Sequence, residues 1–278
     1  MINLNNEFVS NKQANLNITN RAIAYGDALF ETIRVVKGEI LFWEDHYFRL
    51  MSSMRILRMK IPMNFTLEFL EKEIFTTIKS NGLTQDVSLR VKLTVYRDSE
   101  GLYTPNSNEV GYFIQVKRLD NSRLSLNSIS DSPYIIELFK DHYVNAGLLS
   151  NLKSTNRIIN TLAGIFAKEN DFHNLLLLNH DKKIIEAING NVFVVKGNTI
   201  TTPPLSDGCI NGVFRKQLIN TIKKKTSFTV EEKSISPFEL QKSDEIFITN
   251  AILGIQSVSK YRKKSFVQKV AKALIVHF

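Results

Sequence analysis

The chain has 278 residues, of which 43% are hydrophobic and 23% charged, and its formal net charge is +9. This is the composition of an ordinary soluble globular protein with one large or two medium domains. No apolar run approaches the roughly 20 residues that span a bilayer, no signal peptide is recognisable, and a single cysteine, Cys209, excludes an internal disulfide and a cysteine metal cluster. We therefore expect a cytoplasmic protein.

The excess of positive charge is compatible with an anionic partner, such as a phosphate, a carboxylate or a nucleic acid. The densest basic runs, at residues 223–225 and 262–264, have no interleaved aromatic residues. We therefore expect no nucleic-acid binding and retain an anionic small molecule as the candidate ligand. A basic solvated surface is the alternative.

The first elements of the chain are predicted from apolar spacing and turn residues. Residues 39–43 favour a short strand. Asp45 can cap a helix that runs to about Leu57. A second helix is predicted for residues 67–79, whose apolar residues recur at helical spacing, and an Asn-Gly pair at residues 81–82 ends it.

Apolar and polar residues then alternate over residues 87–96, which predicts a half-buried strand. Residues 110–116 repeat this pattern, so residues 101–108 are predicted to be the loop of a long hairpin. The segment that follows is polar and has no period. We place a linker at residues 120–131.

This linker divides the chain into a smaller N-terminal α/β domain, residues 1–119, and a larger C-terminal domain, residues 132–278. In the second half helices alternate with strands. A helix over residues 157–168 has Ile158, Leu162 and Ile165 on one face. The remaining predicted elements are strands at 175–178, 184–185 and 245–249, a hairpin at 191–201, and a helix at 213–224 that follows Gly212. The fold class is mixed α/β in two lobes.

Lys153 is the first candidate for chemistry. A lysine forms an imine with an aldehyde only through its neutral amine, which a partly buried setting favours. Leu152 before it, and Ile158 and Ile159 after it, are consistent with such a setting. A solvated surface lysine is the alternative.

Glu186 and a glycine-flanked helix start complete the parts needed to hold pyridoxal 5'-phosphate (PLP). A carboxylate at the pyridine nitrogen keeps that nitrogen protonated. The amides of Val213 and Phe214, at a helix start opened by Gly212, can bind a phosphate, and Arg49 can add a charge-assisted contact. The alternatives are a strand-end glutamate, an ordinary N-cap and a solvated arginine. The five histidines form no metal pattern, and there is no Ser/His/Asp signature or P-loop.

Four segments, taken in order, resemble the class IV aminotransferases, which are the fold-type IV PLP enzymes. They are residues 45–50 (DHYFRL), 151–157 (NLKSTNR), 186–193 (EAINGNVF) and 208–215 (GCINGVFR). The resemblance extends from residue 20 to residue 251. It implies a two-lobed fold like that of D-amino acid aminotransferase, with PLP in the cleft between the lobes. It also implies a homodimer whose partner helps to close the active site.

The resemblance also implies roles for individual residues. By matching position, Lys153 would be the imine lysine and Glu186 the pyridine partner. Arg49, Gly212, Val213 and Phe214 would hold the phosphate. Asn250 and Ala251 stand where the family has a further phosphate contact, but Ala251 lacks the hydroxyl that a threonine supplies there in other members.

The sequence at residues 152–157 and 249–251 is similar to that of 4-amino-4-deoxychorismate lyases. These enzymes eliminate pyruvate and give 4-aminobenzoate for folate synthesis. Two differences from the lyase pattern leave other members of the family as candidates. Leu102 stands where such lyases often have a second hairpin-loop arginine, and Glu31 is common to the transaminating members. A branched-chain or D-amino acid aminotransferase that uses 2-oxoglutarate is therefore the alternative, and a non-catalytic binding protein on this scaffold is a remote one.

Three residues are candidates for contact with the substrate: Tyr25, Arg90 and Arg97. The two arginines fall on opposite faces of an ideal strand. At most one of them is therefore expected to point into the cleft, unless a bulge intervenes.

Overall fold

The computed structural model of the chain describes residues 1–84, 87–119, 129 and 132–278. Their contacts divide the chain into two compact units. Unit 1 comprises Met1–Leu124 together with Lys153–Asn156, and unit 2 comprises Ser125–Leu152 and Arg157–Phe278. The lysine segment thus groups with unit 1, whereas the sequence analysis assigned it to the C-terminal domain. Most of the predicted linker, residues 120–131, lies outside the described residues, and the predicted domain bounds stay a prediction.

Unit 1 is built on a six-stranded antiparallel sheet. Its strands are β1 (Ile2–Leu4), β2 (Glu7–Val9), β3 (Ala28–Val36), β4 (Glu39–Ile40), β5 (Leu89–Arg97) and β6 (Val110–Arg118). The strand order is β2-β1-β6-β5-β3-β4. The helices of this unit are α1 (Arg21–Ala24), α2 (Trp43–Ile56) and α3 (Leu67–Ser80).

The two longer helices of unit 1 differ in how well their starts were predicted. α3 begins where expected, because the Thr66 side chain accepts the Phe69 N–H at 3.1 Å. α2 begins earlier than expected. Phe42 adopts a left-handed conformation with φ 56° and no side-chain cap, so Asp45 lies in the first helical turn instead of capping it. There its carboxylate is near the positive end of the helix dipole.

The strand predicted for residues 87–96 is β5, but the expectation that it is half-buried was wrong at its C-terminal end. Leu89, Val91, Leu93 and Val95 are buried as predicted. Thr94 and Tyr96, on the opposite face, are buried as well. The alternation identified the strand and one buried face, but it did not show that the second face is also covered.

Unit 2 contains two five-stranded sheets, ordered β12-β11-β10-β13-β14 and β16-β15-β7-β8-β9. Its strands are β7 (Ile135–Leu138), β8 (Asn174–Leu178), β9 (Ile184–Ala187), β10 (Asn191–Lys196), β11 (Thr199–Thr202), β12 (Thr229–Glu232), β13 (Glu245–Asn250), β14 (Gly254–Ser257), β15 (Lys260–Tyr261) and β16 (Lys264–Ser265). Its helices are α4 (Ile158–Glu169), α5 (Val213–Lys225), α6 (Pro237–Lys242) and α7 (Lys269–Ile275). Both sheets contain parallel pairs, namely β11 with β12, and β7 with β8 and β15.

Helix α4 buries a different face from the apolar one seen in the sequence. Ile158 and Ile165 are 68% and 50% exposed, whereas Ala163 and Ala167 are buried in the core that contains Leu175 and Leu177 of β8. Ala163 and Ala167 let the helix backbone approach the sheet closely, Ile159 and Phe166 pack against the edge of the same core, and Ile158 and Ile165 are left exposed.

Candidate active site

Lys153 belongs to a short extended segment that pairs with β3 in unit 1. The Phe30 N–H donates to the Lys153 carbonyl at 2.9 Å, and the Thr155 N–H donates to the Ala28 carbonyl at 3.0 Å. These bonds fix the register of the lysine along the strand. The half-buried Lys153 ammonium lies 4.5 Å from the centroid of the Phe30 ring, a cation–π contact.

Gly26 holds the other end of the lysine segment. Its carbonyl accepts the Thr155 hydroxyl at 2.8 Å and the Asn156 amide at 3.0 Å. Gly26 has φ +64°, and a Cβ at this position would lie 2.6 Å from Asn156 Oδ1. Only glycine meets both conditions, so this residue lets Asn156 anchor the segment that carries Lys153.

Arg49, predicted to hold a phosphate, belongs to a buried cluster with Glu31 and His46. Arg49 Nε donates to Glu31 Oε1 at 2.8 Å, and Arg49 Nη2 bonds the other carboxylate oxygen. His46 Nδ1 lies 2.6 Å from Glu31 Oε2. Burial raises the pKa of Glu31, but the Arg49 charge and the His46 hydrogen bond outweigh it and bring that pKa down to about 2. Glu31 is therefore a carboxylate at any ordinary pH.

His46 was not among the predicted site residues, and Glu31 was predicted only as a residue common to the transaminating members of the family. The sequence nevertheless contains a pattern that indicates both residues. Glu31 falls on the same face of β3 as Leu29, Ile33 and Val35, which are buried, and a charged residue on an apolar face needs a partner. His46 and Arg49, three residues apart on α2, are two possible partners for this charge.

Arg97, predicted as a candidate for contact with the substrate, makes its contacts within unit 1. It is 6% exposed, and its guanidinium is committed to groups within unit 1. Nε donates to Asp27 Oδ2 at 2.7 Å, Nη1 donates to Asn108 Oδ1 at 2.6 Å, and Nη2 donates to the Leu57 carbonyl at 2.6 Å. Its guanidinium joins the hairpin to the end of α2 and already binds the carboxylate of Asp27.

Arg90 lies on the opposite face of β5, among other cations. The strand register places it beside Arg34 of β3 and Lys117 of β6. Lys92 follows on the same face, with its ammonium 5.2 Å from the centroid of the Phe30 ring. Burial and the neighbouring Arg90 charge both lower the pKa of Lys92. We define Arg34, Arg90, Lys92 and Lys117 as the basic face of the unit 1 sheet.

Tyr25 lies at the end of α1, against the hairpin loop. Its ring is 5.6 Å from the ring of Tyr103, and the Arg21 guanidinium is 4.9 Å from its centroid. Arg21 also bonds the carbonyls of Leu102 and Tyr103. The loop is thus held at its backbone, and Leu102 projects outward with 80% of its side chain exposed.

In unit 2, Glu186 lies on β9, with only 4% of the residue exposed. Its Oε2 accepts the Ile210 N–H at 2.8 Å, so one carboxylate oxygen is fixed by the loop that leads to α5. The neighbouring Cys209 thiol is buried, which raises its pKa to about 12. Cys209 is therefore a protonated thiol at neutral pH and is no nucleophile.

The helix start predicted to bind phosphate is formed by Gly212, Val213 and Phe214 at the beginning of α5. Gly212 is the N-cap residue and makes no side-chain cap hydrogen bond. A Cβ on Gly212 would lie 2.0 Å from Oδ1 of Asn191, whose amide donates to the Ile210 carbonyl at 2.9 Å. The backbone can occupy this position only without a side chain. The start of an α-helix presents backbone N–H groups that are not bonded within the helix itself.

Asn151 holds the same loop from another side. Its side-chain amide donates to the Leu205 carbonyl at 2.9 Å and to the Cys209 carbonyl at 2.7 Å. Asn151 belongs to the lysine motif, but no role was predicted for it. Within unit 2 that role is to bind the loop that carries Cys209 and Ile210.

Asn250 is the last residue of β13 and Ala251 follows it, where a further phosphate contact was predicted. The Asn250 side chain closes its own turn, since Oδ1 accepts the N–H groups of Ile252 and Leu253 at 3.0 and 2.8 Å. Its amide donates to the Asn189 carbonyl at 3.1 Å. A phosphate contact here would therefore come from the backbone, because Ala251 has no hydroxyl.

The donor set fits PLP. Lys153 supplies an amine, Glu186 a buried carboxylate, and Gly212 a helix start that a Cβ would obstruct. No three or more His, Cys, Asp or Glu side chains gather as metal ligands in the described part of the chain. Within the same residues, no helix is long and apolar enough to cross a membrane.

Comparisons with known proteins show the family to which the chain belongs. The family model described as amino-transferase class IV matches residues 28–261. The aminodeoxychorismate lyase of Vibrio harveyi is 25% identical over 250 residues, which are 89% of this chain and 88% of that protein. The D-alanine aminotransferase of Listeria monocytogenes is 24% identical over 257 residues, 92% of this chain and 86% of that protein. The PLP-form branched-chain amino acid aminotransferase of Thermobaculum terrenum has the same fold, with a TM-score of 0.85 at 21% identity over 99% of this chain and 91% of that one.

Proposed function

The chain belongs to the class IV aminotransferases and is a PLP-dependent enzyme, and we propose that it eliminates pyruvate from 4-amino-4-deoxychorismate to give 4-aminobenzoate. The lysine motif and the 25% identity with a lyase support this assignment. The observation that carries the substrate class, a dicarboxylate, is the basic face, and 4-amino-4-deoxychorismate has two carboxylates. Like charges on neighbouring strands repel one another, and a bound dianion would relieve that repulsion.

Each site residue has a defined role in this proposal. Lys153 carries the cofactor and, once released, removes the substrate α-proton as a general base. Glu186 holds a proton on the pyridine nitrogen, and the Val213 and Phe214 amides together with Arg49 bind the phosphate. PLP, when bound, supplies an electron sink that stabilises negative charge at the substrate α-carbon.

The basic face would orient the substrate through its carboxylates. Arg90 is half-buried and can present a planar fork to a carboxylate. Lys92 and Lys153 approach the same Phe30 ring, at 5.2 and 4.5 Å from its centroid. An anion bound at Lys92 and Arg90 would therefore be held near the lysine amine.

A transaminase that uses 2-oxoglutarate is the second candidate. Two observations favour it: Glu31 is an integral part of the Arg49 cluster, and the exposed Leu102 offers no cation from the hairpin loop. Since 2-oxoglutarate is also a dicarboxylate, the basic face would serve either substrate.

We also propose that the chain forms a homodimer. Ile158, Leu162 and Ile165 make an apolar stripe on α4 that remains exposed, and such a stripe favours contact with another protein surface. Leu162→Glu is expected to shift the species seen by analytical ultracentrifugation to monomer. The matched control is Phe238→Glu, at another exposed apolar residue of unit 2. A monomeric wild type, or a dimer unchanged by Leu162→Glu, would contradict this part of the proposal.

Product analysis tests the reaction. Purified, PLP-loaded protein is incubated with 4-amino-4-deoxychorismate, and 4-aminobenzoate and pyruvate are quantified by chromatography. Lys153→Ala should abolish both products, whereas Lys140→Ala, which changes an exposed lysine, should not. Conversion of 2-oxoglutarate to glutamate with an amino donor, without 4-aminobenzoate, would instead establish the aminotransferase.

A further inference from the structure

Phe278 has no role in the proposed function, although its ring lies against a residue that has one. The centroids of the Phe278 and Phe214 rings are 4.7 Å apart, with 35° between the ring planes. Phe214 is the second residue of α5, and its amide is one of the two proposed to bind the cofactor phosphate. Both residues belong to unit 2, and Phe214 is only 1% exposed. The packing of this side chain therefore acts on a residue of the proposed phosphate site.

The start of α5 is held by packing and not by a side-chain cap. Gly212 makes no side-chain cap hydrogen bond, and its backbone is confined by the Asn191 side chain. The Lys216 N–H donates to the Gly212 carbonyl at 3.0 Å, as expected in the first turn of a helix. The amides of Val213 and Phe214 precede this bond. Their direction therefore depends on what holds the residues of the first turn in place.

Helix α7, which leads to Phe278, is itself fixed to the sheet of unit 2. Glu245, the first residue of β13, is 2% exposed, and its two carboxylate oxygens accept the Val270 N–H at 2.6 Å and the Ala271 N–H at 3.1 Å. A carboxylate at the first amides of a helix is stabilised by these hydrogen bonds and by the helix dipole. The helix packs against β13 and β14. Its buried residues are Ala271, Leu274 and Ile275. The element that carries the Phe278 ring is thus anchored at its start and along one face.

We infer that Phe278 is a positioning residue for the phosphate site. Helix α7, anchored at Glu245, holds the Phe278 ring against Phe214 and so fixes the direction of the amides at the start of α5. A tilted aromatic pair at this distance is favourable beyond the area that it buries. Donors that are already ordered bind an anion more tightly, because the cost of ordering them is not paid at binding. This inference rests on the proposed role of the Val213 and Phe214 amides.

The affinity for PLP, compared with that for pyridoxal, which lacks the phosphate, measures this effect. In fluorescence titrations of the cofactor-free protein, Phe278→Ala should raise the Kd for PLP about fivefold, within the range that an aromatic pair contributes. The Kd for pyridoxal should change by no more than about twofold. Phe278→Leu, a milder change that also removes the ring, should lose part of the preference for PLP, and Phe278→Tyr, which keeps the ring, should retain it. Val276→Ala, at a residue 65% exposed in the same segment, is the control and should leave both affinities unchanged.

A purely structural contact would give a different pattern. A general loosening of unit 2 weakens the binding of both ligands alike, whereas a misplaced phosphate contact weakens the binding of PLP alone. Hydrogen exchange of the cofactor-free protein, measured by mass spectrometry on a peptide that covers residues 210–216, adds a measurement without a ligand. Exchange there should be faster in Phe278→Ala than in Val276→Ala. The inference is overturned by equal losses of affinity for PLP and pyridoxal, by an unchanged affinity for PLP, or by equal exchange in the two variants.

The same titrations distinguish this inference from the proposed function. If the wild type binds PLP no more tightly than pyridoxal, the phosphate role of the α5 start fails and the positioning role of Phe278 fails with it. If the wild type prefers PLP, and Gly212→Ala loses that preference while Phe278→Ala keeps it, the positioning role alone fails.

Discussion

Replacing Glu31 with glutamine tests the electrostatics of the buried cluster. The substitution keeps the shape of the side chain and removes its charge, so Arg49 loses its counter-ion and His46 loses a charged acceptor. The pKa of Glu31 is lowered from 4.5 to about 2. A difference of this size corresponds to about 3 kcal/mol of folding free energy at pH 7, within the range for breaking a buried ion pair.

The sign of the pH dependence follows from the direction of this pKa. A carboxyl group with a depressed pKa in the folded state stabilises the protein fully above pH 4.5, and this contribution is lost as the pH falls towards 2. Protonating the wild type mimics the glutamine. The gap in unfolding free energy between wild type and Glu31→Gln is therefore expected to shrink from about 3 kcal/mol at pH 7 to about 1.5 kcal/mol at pH 3.

Urea unfolding followed by circular dichroism, at fixed protein concentration and several pH values, measures this gap. Glu39→Gln, on the adjacent strand β4 and exposed, is the control and should change stability by no more than about 0.5 kcal/mol. A gap below about 1 kcal/mol at pH 7, or one that is the same at pH 7 and pH 3, would refute the reasoning.

Two further predictions concern the glycines of the site. Gly26→Ala should destabilise the protein and slow PLP uptake, because it adds a 2.6 Å clash to a strained φ of +64°. The control is Gly82→Ala, because Gly82 has a similar φ of +63° but its Cβ would meet nothing within 4 Å. This variant carries the backbone strain without the clash and should leave PLP uptake unchanged. Equal uptake defects in the two variants would contradict the anchoring role of Gly26. Gly212→Ala should weaken PLP binding at least tenfold in a fluorescence titration, because its Cβ would lie 2.0 Å from Asn191 Oδ1. Gly147→Ala, which meets nothing within 4 Å, is its control, and equal affinities would remove Gly212 from the phosphate site.

The elements that the sequence predicted well are those specified by local chemistry. Helix α3 has a capping threonine, an apolar stripe and an Asn-Gly stop, and it spans Leu67–Ser80, one residue beyond the predicted end. The hairpin around residues 197–198 and the start of α5 after Gly212 have equally local signals. Each of these depends on neighbours within a few residues.

The failures arise where packing decides between local alternatives. Helix α4 has both a large-residue face and a small-residue face, and close approach to β8 selected the face of Ala163 and Ala167. Its periodicity predicts a helix but does not say which stripe is buried. The contacts of Arg97 could not be predicted from local patterns either, since its partners Asp27, Leu57 and Asn108 are 70, 40 and 11 residues away in sequence.

The candidate site depends both on local sequence motifs and on contacts between residues that are distant in sequence. Lys153, Glu186 and Gly212 were predicted because the family resemblance gave a meaning to the order of motifs, which spacing alone could not. Glu31 and His46 were not joined to the site, because the contact between them spans 15 residues and two elements. A buried charge on an apolar strand face is the pattern that would have indicated them.

The most direct test of the central claim is to locate the lysine that holds the cofactor. PLP-loaded protein is reduced with borohydride and digested, and the modified peptide is identified by mass spectrometry. We predict one phosphopyridoxyl adduct, on Lys153, and no adduct on any lysine of Lys153→Ala. An adduct on a different lysine, or no adduct with full loss of the visible absorbance on dialysis, would contradict it.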